Sequence, residues 1–344
     1  MHFVQIARGC RVASIAVDRG RAPQTLMSLG FVVSRSATID LSIIVVSWNT
    51  RDFLLQCLRS IRSNDAALVT EVIVVDNGST DGSVDAVREQ FPDVQIIENK
   101  TNVGFARANN QAIVVSCGRY ICLLNSDVKL DDRCLPLLHQ YMEANPEVGI
   151  LGPKIFNADR TLQDSWRTFP SLWSTFSRAL ALDTILSPSR WLPARDIEPS
   201  GRAHEVDILS GCFWVVRRSA LQEVGLLDEQ FFMYAEDKDW CKRFRSAGWR
   251  LVYFPGASAI HYGGASSSRQ PTRFDVEYVR ANVKYWRKHH GRTAFVAFFL
   301  LSLLHQILRI GGGALMYLVQ PSRRQSARSL VQRSLACTRF LLQI

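Results

Sequence analysis

The chain has 344 residues, 47% hydrophobic and 21% charged, a balance that excludes a disordered or fibrous protein and allows a sizeable core. Its net charge of +10 is unevenly spread: 280–344 hold eleven Lys and Arg and no Asp or Glu, and 1–40 hold five Arg and two Asp, so the stretch between is mildly acidic. A nucleic-acid binder carries its basic face on the folded domain. Positive tails fit instead a C-terminal segment lying on an anionic membrane surface, with no nucleic acid as partner. The eight cysteines include no CxxC pair and mostly sit among apolar neighbours, which favours reduced, buried thiols over a disulfide framework.

Residues 1–40 show no clean period and no secretory signal, and are expected to be a disordered N-terminal extension. Order begins with LSIIVVSW (41–48), a continuous β-branched run of the kind a buried parallel strand needs. A helix over 51–61 follows, then a strand EVIVVD (71–76), the polar turn 76–83 and a helix to Gln90. VQIIEN (94–99) is the third strand, 102–116 leads into the third helix, RYICLLNSDV (119–128) is the fourth strand, and a helix covers 131–144. Strands alternating with helices at this spacing predict a mostly parallel α/β sheet, whose ligand lies at the carboxyl ends of the strands. Asp76, the 102–110 stretch and Asp127 all fall at those ends.

Regularity lapses over 157–204, an aromatic stretch that reads as a flap or a helical hairpin over the cleft. It returns with a strand at 207–216, a short helix at 218–224, an amphipathic helix at 236–247 stopped by Gly248, a strand at 249–255 and a basic helix at 276–291. The apolar segment 294–319 is interrupted by His305, Gln306 and Arg309 and flanked by basic residues on both sides. It reads as a helix lying in the membrane interface or a re-entrant hairpin, ahead of a true span or a buried soluble helix.

Chemistry concentrates at Glu236-Asp237, a carboxylate pair at a helix start, with His261 further along. A carboxylate fixed in a cleft suits a general base, and a histidine after a strand suits a metal ligand. The bland alternatives are an acidic pair favoured by the helix dipole and a satisfied loop histidine. Asp239 reads as a solvated helix residue.

In order, SIIVVSWN (42–49), VVDNGSTDGS (74–83), NVGFARANN (102–110), LLNSDV (123–128), SGCFWVVRR (210–218), FFMYAEDKDWCKR (231–243) and IHYGG (260–264) resemble the inverting family 2 glycosyltransferases of the GT-A fold. Within them the likeness is to rhamnosyltransferase-like enzymes of bacterial cell-surface polysaccharide assembly. No single motif decides it, but seven in this order are specific together, and they span about 40–290. The resemblance implies a GT-A, Rossmann-like sheet flanked by helices: a nucleotide-binding half (41–156), a variable flap (157–204), an acceptor and catalytic half (205–290), and a membrane-associated helical tail (291–344).

It also implies a nucleotide diphosphate sugar donor, in this subgroup deoxythymidine-diphosphate rhamnose, and a saccharide or lipid-linked glycan acceptor at the cytoplasmic face of the cell membrane. A UDP-hexose donor and a sugar-nucleotide-binding module without turnover are the competing readings. The implied donor residues are Ser47, Asn49, Asp76, Asn102, Gly104, Arg107, Asn125, Ser126 and Asp127, with Asp76 accepting from the pyrimidine N3–H. For Asn102 helix capping is an equal alternative. A divalent cation, Mg²⁺ or Mn²⁺, would be held by Asp127 and His261. The usual DxD motif is here Asn125-Ser126-Asp127, so its first carboxylate is an amide. Asp237 is the implied base and Glu236 its support.

Overall fold

The computed structural model describes residues 39–64, 68–180, 201–264 and 270–344, so the N-terminal extension expected over 1–40 lies almost wholly outside the described residues. The first half alternates as its periodicity predicts: β1 (Leu41–Ser47), α1 (Arg51–Arg62), β2 (Thr70–Asp76), α2 (Ser83–Gln90), β3 (Gln95–Glu98), α3 (Phe105–Val115) and β4 (Tyr120–Asn125). The predicted fourth strand is broken at Ser126–Asp127, and β5 (Val128–Leu130) leaves β4 to pair elsewhere. Then come α4 (Cys134–Ala144), β6 (Val148–Phe156), β7 (Trp166–Arg167), α5 (Leu172–Ala179), β8 (His204–Glu205), β9 (Ile208–Leu209), β10 (Phe213–Arg217), α6 (Arg218–Val224), α7 (Glu236–Ser246) and β11 (Arg250–His261). Three helices close the chain: α8 (Pro271–His289), α9 (Arg292–Val319) and α10 (Arg324–Leu341).

One sheet runs in the order β3–β2–β1–β4–β10–β6–β11–β5, with β8 added on β11. Strands β3, β2, β1 and β4 are parallel, and β10 runs antiparallel between β4 and β6. Both faces are covered, which is why these strands read as unbroken apolar runs rather than alternating ones. Leu41, Ile43 and Val45 pack with α1, α2 and α4, while Ile44, Ile73 and Val75 pack with α3, α6 and α7. The parallel register aligns Ser47 with Asp76 and Val46 with Asn125, so three strand ends finish at one edge of the sheet.

β11 does more than the 249–255 strand expected for this stretch. It pairs with β6 in two segments separated by a register shift between Phe254 and Ser258, and the bent strand then continues to His261. Its last residues pair antiparallel with β5, His261 opposite Val128.

Asp239 departs from the solvated residue that its helix pattern suggested. It is fully buried and receives Arg243 Nε at 2.9 Å, Lys288 Nζ at 2.6 Å and His289 Nε2 at 2.7 Å, joining α7 to α8. Burial alone would raise its pKa. The hydrogen bonds from His289, Lys288 and Arg243 outweigh it and bring the value down to about 2. All seven described cysteines are free thiols, and six are buried.

The C-terminal helices are docked rather than trailing. A third core joins Phe231 and Ala235 to Trp286 of α8, Phe298 of α9 and Leu341 of α10. Trp286 and Phe298 stack with ring centroids 4.8 Å apart. Asp239→Asn should destabilise the protein by about 3 kcal/mol, because it strands buried cations that a carboxylate had neutralised. The folded-state pKa is depressed, so the wild-type contribution is complete above the ordinary value of 3.8 and is lost as pH falls toward 2. Denaturant unfolding at several pH values should show this acid limb in the wild type and its absence in the variant.

Candidate active site at the carboxyl ends of the strands

Asp76 ends β2 with one oxygen used and one free. Its Oδ2 accepts the backbone N–H groups of Gly78 (3.1 Å) and Ser79 (2.9 Å), while Oδ1 is buried with no partner among the described residues. Gly78 has φ +77°, and a Cβ there would lie 2.9 Å from the Thr101 backbone, so the turn needs glycine twice over. Asn49, itself left-handed at φ 54°, accepts the Thr80 N–H at 2.7 Å, and its own N–H donates to Ser79 Oγ at 2.8 Å. The loops after β1 and β2 are thus tied together.

A cavity of about 230 Å³ opens beside these loops. Its wall includes Trp48, Asn77, Asn102, Gly104, Asn125, Ser126, Asp127, Phe232, Tyr234 and His261. Of the residues expected at the donor, Asn102, Gly104, Asn125, Ser126 and Asp127 line it. Ser47 is fully buried and acts from behind. Its Oγ is 3.0 Å from Thr50 Oγ1, which is 2.8 Å from Ser126 Oγ. Asn102 does not cap α3, whose N-cap is Gly104; it closes the turn before it, its Oδ1 accepting the Gly104 N–H at 3.0 Å. Gly104, at φ +92°, lies where a Cβ would meet Phe232 O at 2.5 Å, and the neighbouring Phe105 N–H donates to that carbonyl at 2.7 Å.

Arg107 does not reach the cavity. The buried face of α3 is Ala106, Ala108, Asn109 and Ala112, so Arg107 turns outward, where its Nε stands 3.9 Å from Glu229. Asn77, absent from the residues singled out by sequence, is in the wall. Its Nδ2 donates to Asn102 Oδ1 and to Gly104 O, both at 3.3 Å. The DN sequence at a strand end was the only signal for it.

Asp127 and His261 meet because β5 and β11 pair. Tyr262 N–H donates to Asp127 O at 3.0 Å, and Asp127 Oδ1 lies 3.2 Å from His261 Nε2. Asn125 Nδ2 is 3.5 Å from the same nitrogen. Gln163, which no sequence motif indicated, sets the ring. Its Nε2 donates to Asn157 Oδ1 (2.8 Å) and His261 O (3.3 Å), so its Oε1 must accept from His261 Nδ1 at 2.7 Å. A neutral imidazole has a single N–H. With that proton at Nδ1, the Nε2 lone pair faces a carboxylate oxygen and calls for a positive charge, from a second ring proton or from a cation. Two ligand atoms at right angles, each about 2.1 Å from a Mg²⁺-like ion, stand about 3 Å apart, so the pair fits a shared divalent cation. A ring fixed from behind through its other nitrogen is the usual support of a metal-bound histidine. Among the described residues no group of three or more His, Cys, Asp or Glu converges as a metal site, so remaining ligands would come from substrate and water.

Glu236 and Asp237 open α7 after two left-handed non-glycine residues, Tyr234 (φ 67°) and Ala235 (φ 61°). Such backbone costs energy and is held by its surroundings, here the buried Ala235 and the Phe232–Phe105 bond. Asp237 is half-buried and lies against Gly211, whose added Cβ would be 3.8 Å from its own. Burial pushes the adjacent Cys212 thiol up to about 12, and the charges of Asp127 and Asp237 both add to that shift. The Gly211–Cys212 turn touches both sides, since the Asn125 N–H donates to Cys212 O at 2.9 Å while Gly211 lies against Asp237. Glu236 is buried, with Oε2 unpartnered among the described residues. Burial first, and then the charge of Asp237, raises its pKa to about 8. At neutral pH Glu236 is therefore held as the carboxylic acid.

Comparison with known proteins gives the family and the fold. Residues 42–225 match the family description Glycosyl transferase family 2. An N-acetylglucosaminyl-diphospho-decaprenol L-rhamnosyltransferase of Mycobacterium tuberculosis is 34% identical over 214 residues, covering 58% of this chain and 69% of the relative. Rhamnosyltransferase WbbL of Escherichia coli is 28% identical over 230 residues, covering 64% of this chain and 82% of that one. The mannosyltransferase PcManGT of Pyrobaculum calidifontis, solved with GDP-Man and Mn²⁺, superposes with TM-score 0.53 at 18% identity over 88% of this chain and 87% of that one, which carries the fold. The chain is a glycosyltransferase of the GT-A fold and belongs to glycosyl transferase family 2.

Proposed function

We propose that the protein transfers rhamnose, with inversion and with a divalent cation, from a nucleotide diphosphate sugar to a lipid-linked saccharide at the cytoplasmic face of the membrane. The observation that carries this reading is the Asp127–His261 pair set across one turn from Asp237, with Glu236 protonated beside it. The names of the Mycobacterium and Escherichia relatives support rhamnose over a UDP-hexose, and the first supports a lipid diphosphate acceptor.

On this reading the open Oδ1 of Asp76 accepts the N3–H of the pyrimidine base. Asp127 and His261 hold the cation, which when bound offsets charge on the departing diphosphate. Gln163 keeps the proton on the far side of the His261 ring. Asp237 removes the proton from the acceptor hydroxyl as its oxygen bonds to the anomeric carbon and the bond from that carbon to the diphosphate oxygen breaks. Attack from the face opposite the leaving group inverts the centre. One base suffices, unlike the paired carboxylates of a glycosidase. Glu236 stays protonated and so adds no second negative charge beside the base.

The tail supports a membrane seat. α9 is 28 residues long, about 42 Å at 1.5 Å per residue, and apolar enough to cross a bilayer. It is sided, however: Gln306 is buried inward, Arg309 faces Asp275 of α8 at 4.0 Å, and Val296, Leu300, Leu304, Ile307, Leu315 and Leu318 stay exposed. A span would draw the Arg309–Asp275 contact, and α8 with it, into hydrocarbon. A helix lying in the interface keeps both in place.

Purified full-length protein offered a panel of nucleotide sugars should release nucleoside diphosphate from deoxythymidine-diphosphate rhamnose with Mg²⁺ or Mn²⁺ and not with EDTA; no turnover with any donor would overturn the enzyme reading. Asp237→Asn should lower kcat by about 10²- to 10⁴-fold, as loss of a general base does. Glu236→Gln, which mimics the protonated acid, should stay within about tenfold of wild type, and parity of the two variants would refute the division of roles. Because the pKa of Glu236 is raised, its stabilising contribution is full below 4.5 and is lost as pH rises toward 8. Unfolding curves of Glu236→Gln should lack that slope. Replacing Leu300, Leu304 and Ile307 together by Glu should release the protein from anionic vesicles in a flotation assay.

A further inference from the structure

His261 belongs to two openings. Beside the donor cavity it also lines a groove of about 670 Å³ with Gln163, Asp164, Ser210 and Arg167. Arg167 ends β7, which precedes α5 in the chain. There Arg178 of α5 donates from Nη1 to Tyr278 OH at 3.2 Å, and Lys238 Nζ of α7 lies 5.4 Å from the Tyr278 ring centroid while donating to Asn282 Oδ1 at 2.8 Å. Arg167, Arg178 and Lys238 all act electrostatically on the same phenol, so the three cations share one neighbourhood. Among the described residues none of them has an acidic side chain within 4 Å, whereas Arg243, Arg245, Arg250 and Lys288 nearby are all salt-bridged. Three converging cations from three elements repel one another unless an anion joins them.

The surroundings say which anion. Lys238 follows the base Asp237 directly, so the cluster borders the acceptor side of the reaction. On its other side, α5 also carries the exposed Leu172 and Trp173 and packs against α9, the helix with the outward apolar stripe. A ligand spanning this path has a sugar at one end, a multiply charged anion in the middle and a hydrocarbon chain at the other. We propose that Arg167, Arg178 and Lys238 seat the diphosphate of a polyprenyl-diphosphate-linked acceptor, separately from the donor diphosphate at Asp127 and His261. This rests on the lipid-linked acceptor reading above. Arginine and lysine suit the task, the first by forked hydrogen bonds to phosphate and the second as a point charge.

The test compares two acceptors for the full-length protein in detergent: N-acetylglucosaminyl-diphospho-undecaprenol and octyl N-acetylglucosaminide, which keeps the sugar and lacks the diphosphate. The wild type should show the lower KM for the diphosphate acceptor, and Arg178→Gln with Lys238→Gln should shrink that preference about tenfold or more. Tryptophan-quenching titration, which needs no turnover, should show undecaprenyl diphosphate binding the wild type more tightly than undecaprenol, and the double variant binding both alike. A preference that the substitutions leave intact, or a wild type that does not discriminate the two lipids, overturns the proposal. If the variant instead loses phosphatidylglycerol vesicles as strongly as it loses the diphosphate acceptor, the cluster is a membrane contact and the proposal is also wrong. Donor hydrolysis by the wild type separates the two levels: present, a failed comparison sinks only the diphosphate seat; absent with every donor, it sinks the transferase reading itself.

Discussion

The antiparallel pairing of β5 with the end of β11 is the constraint on which the site depends. It brings Asp127 and His261 to 3.2 Å although they are far apart in sequence. Backbone hydrogen bonds fix this approach, not the attraction between the side chains, so the two groups stay together whatever charge each carries. The bend at Phe254–Ser258 is part of the same device, since it lets one strand serve β6 along most of its length and β5 at its tip. Gln163 completes it by holding Nδ1 from outside the sheet. An imidazole nitrogen is thereby presented toward a carboxylate, an arrangement made favourable by a proton on that nitrogen or by a cation between the two groups.

A second constraint separates two carboxylates that are neighbours in sequence. Glu236 sits in the interior and cannot easily ionise next to Asp237, while Asp237 faces the Gly211–Cys212 turn. Burial and the neighbouring charge keep the proton on Glu236, so two carboxylates adjacent in sequence sit in different environments. The strained backbone at Tyr234 and Ala235 aims the pair, and it is pinned through Phe232 to Gly104 on the donor side. A side chain at position 104 would push these segments apart, so one glycine couples the start of α3 to the strained turn before α7.

Much of this was legible in the sequence, for a physical reason. Strands buried on both faces must be apolar throughout, so β1, β2 and β4 announce themselves, and parallel pairing then sends Asp76 and Asn125 to one edge. What a local pattern could not carry was any role set by another element. Asp239 reads as a solvated helix residue until Lys288 and His289 arrive from α8. Arg107 sits in a motif at the right strand end, yet the face of α3 turns it away from the cavity. Ser47 sits at the right place but supports Ser126 through Thr50 rather than lining the wall. Gln163 and Asn77 carry no signal beyond their polarity, since their significance lies in partners remote along the chain.

The tail is where sequence and structure together say more than either. Its hydropathy alone is equally at home in a span, an interface helix or a core. The packing shows where the polar groups go: Gln306 and Arg309 turn inward, and leucines turn outward. The core that receives the tail contains Phe231 and Ala235, the residues immediately before the acidic pair. Any membrane force on α9 is therefore applied, through Phe298 and Trp286, to the segment that orients Asp237. If the acceptor is anchored in a bilayer as proposed, this coupling would hold Asp237 at a fixed height above the same surface.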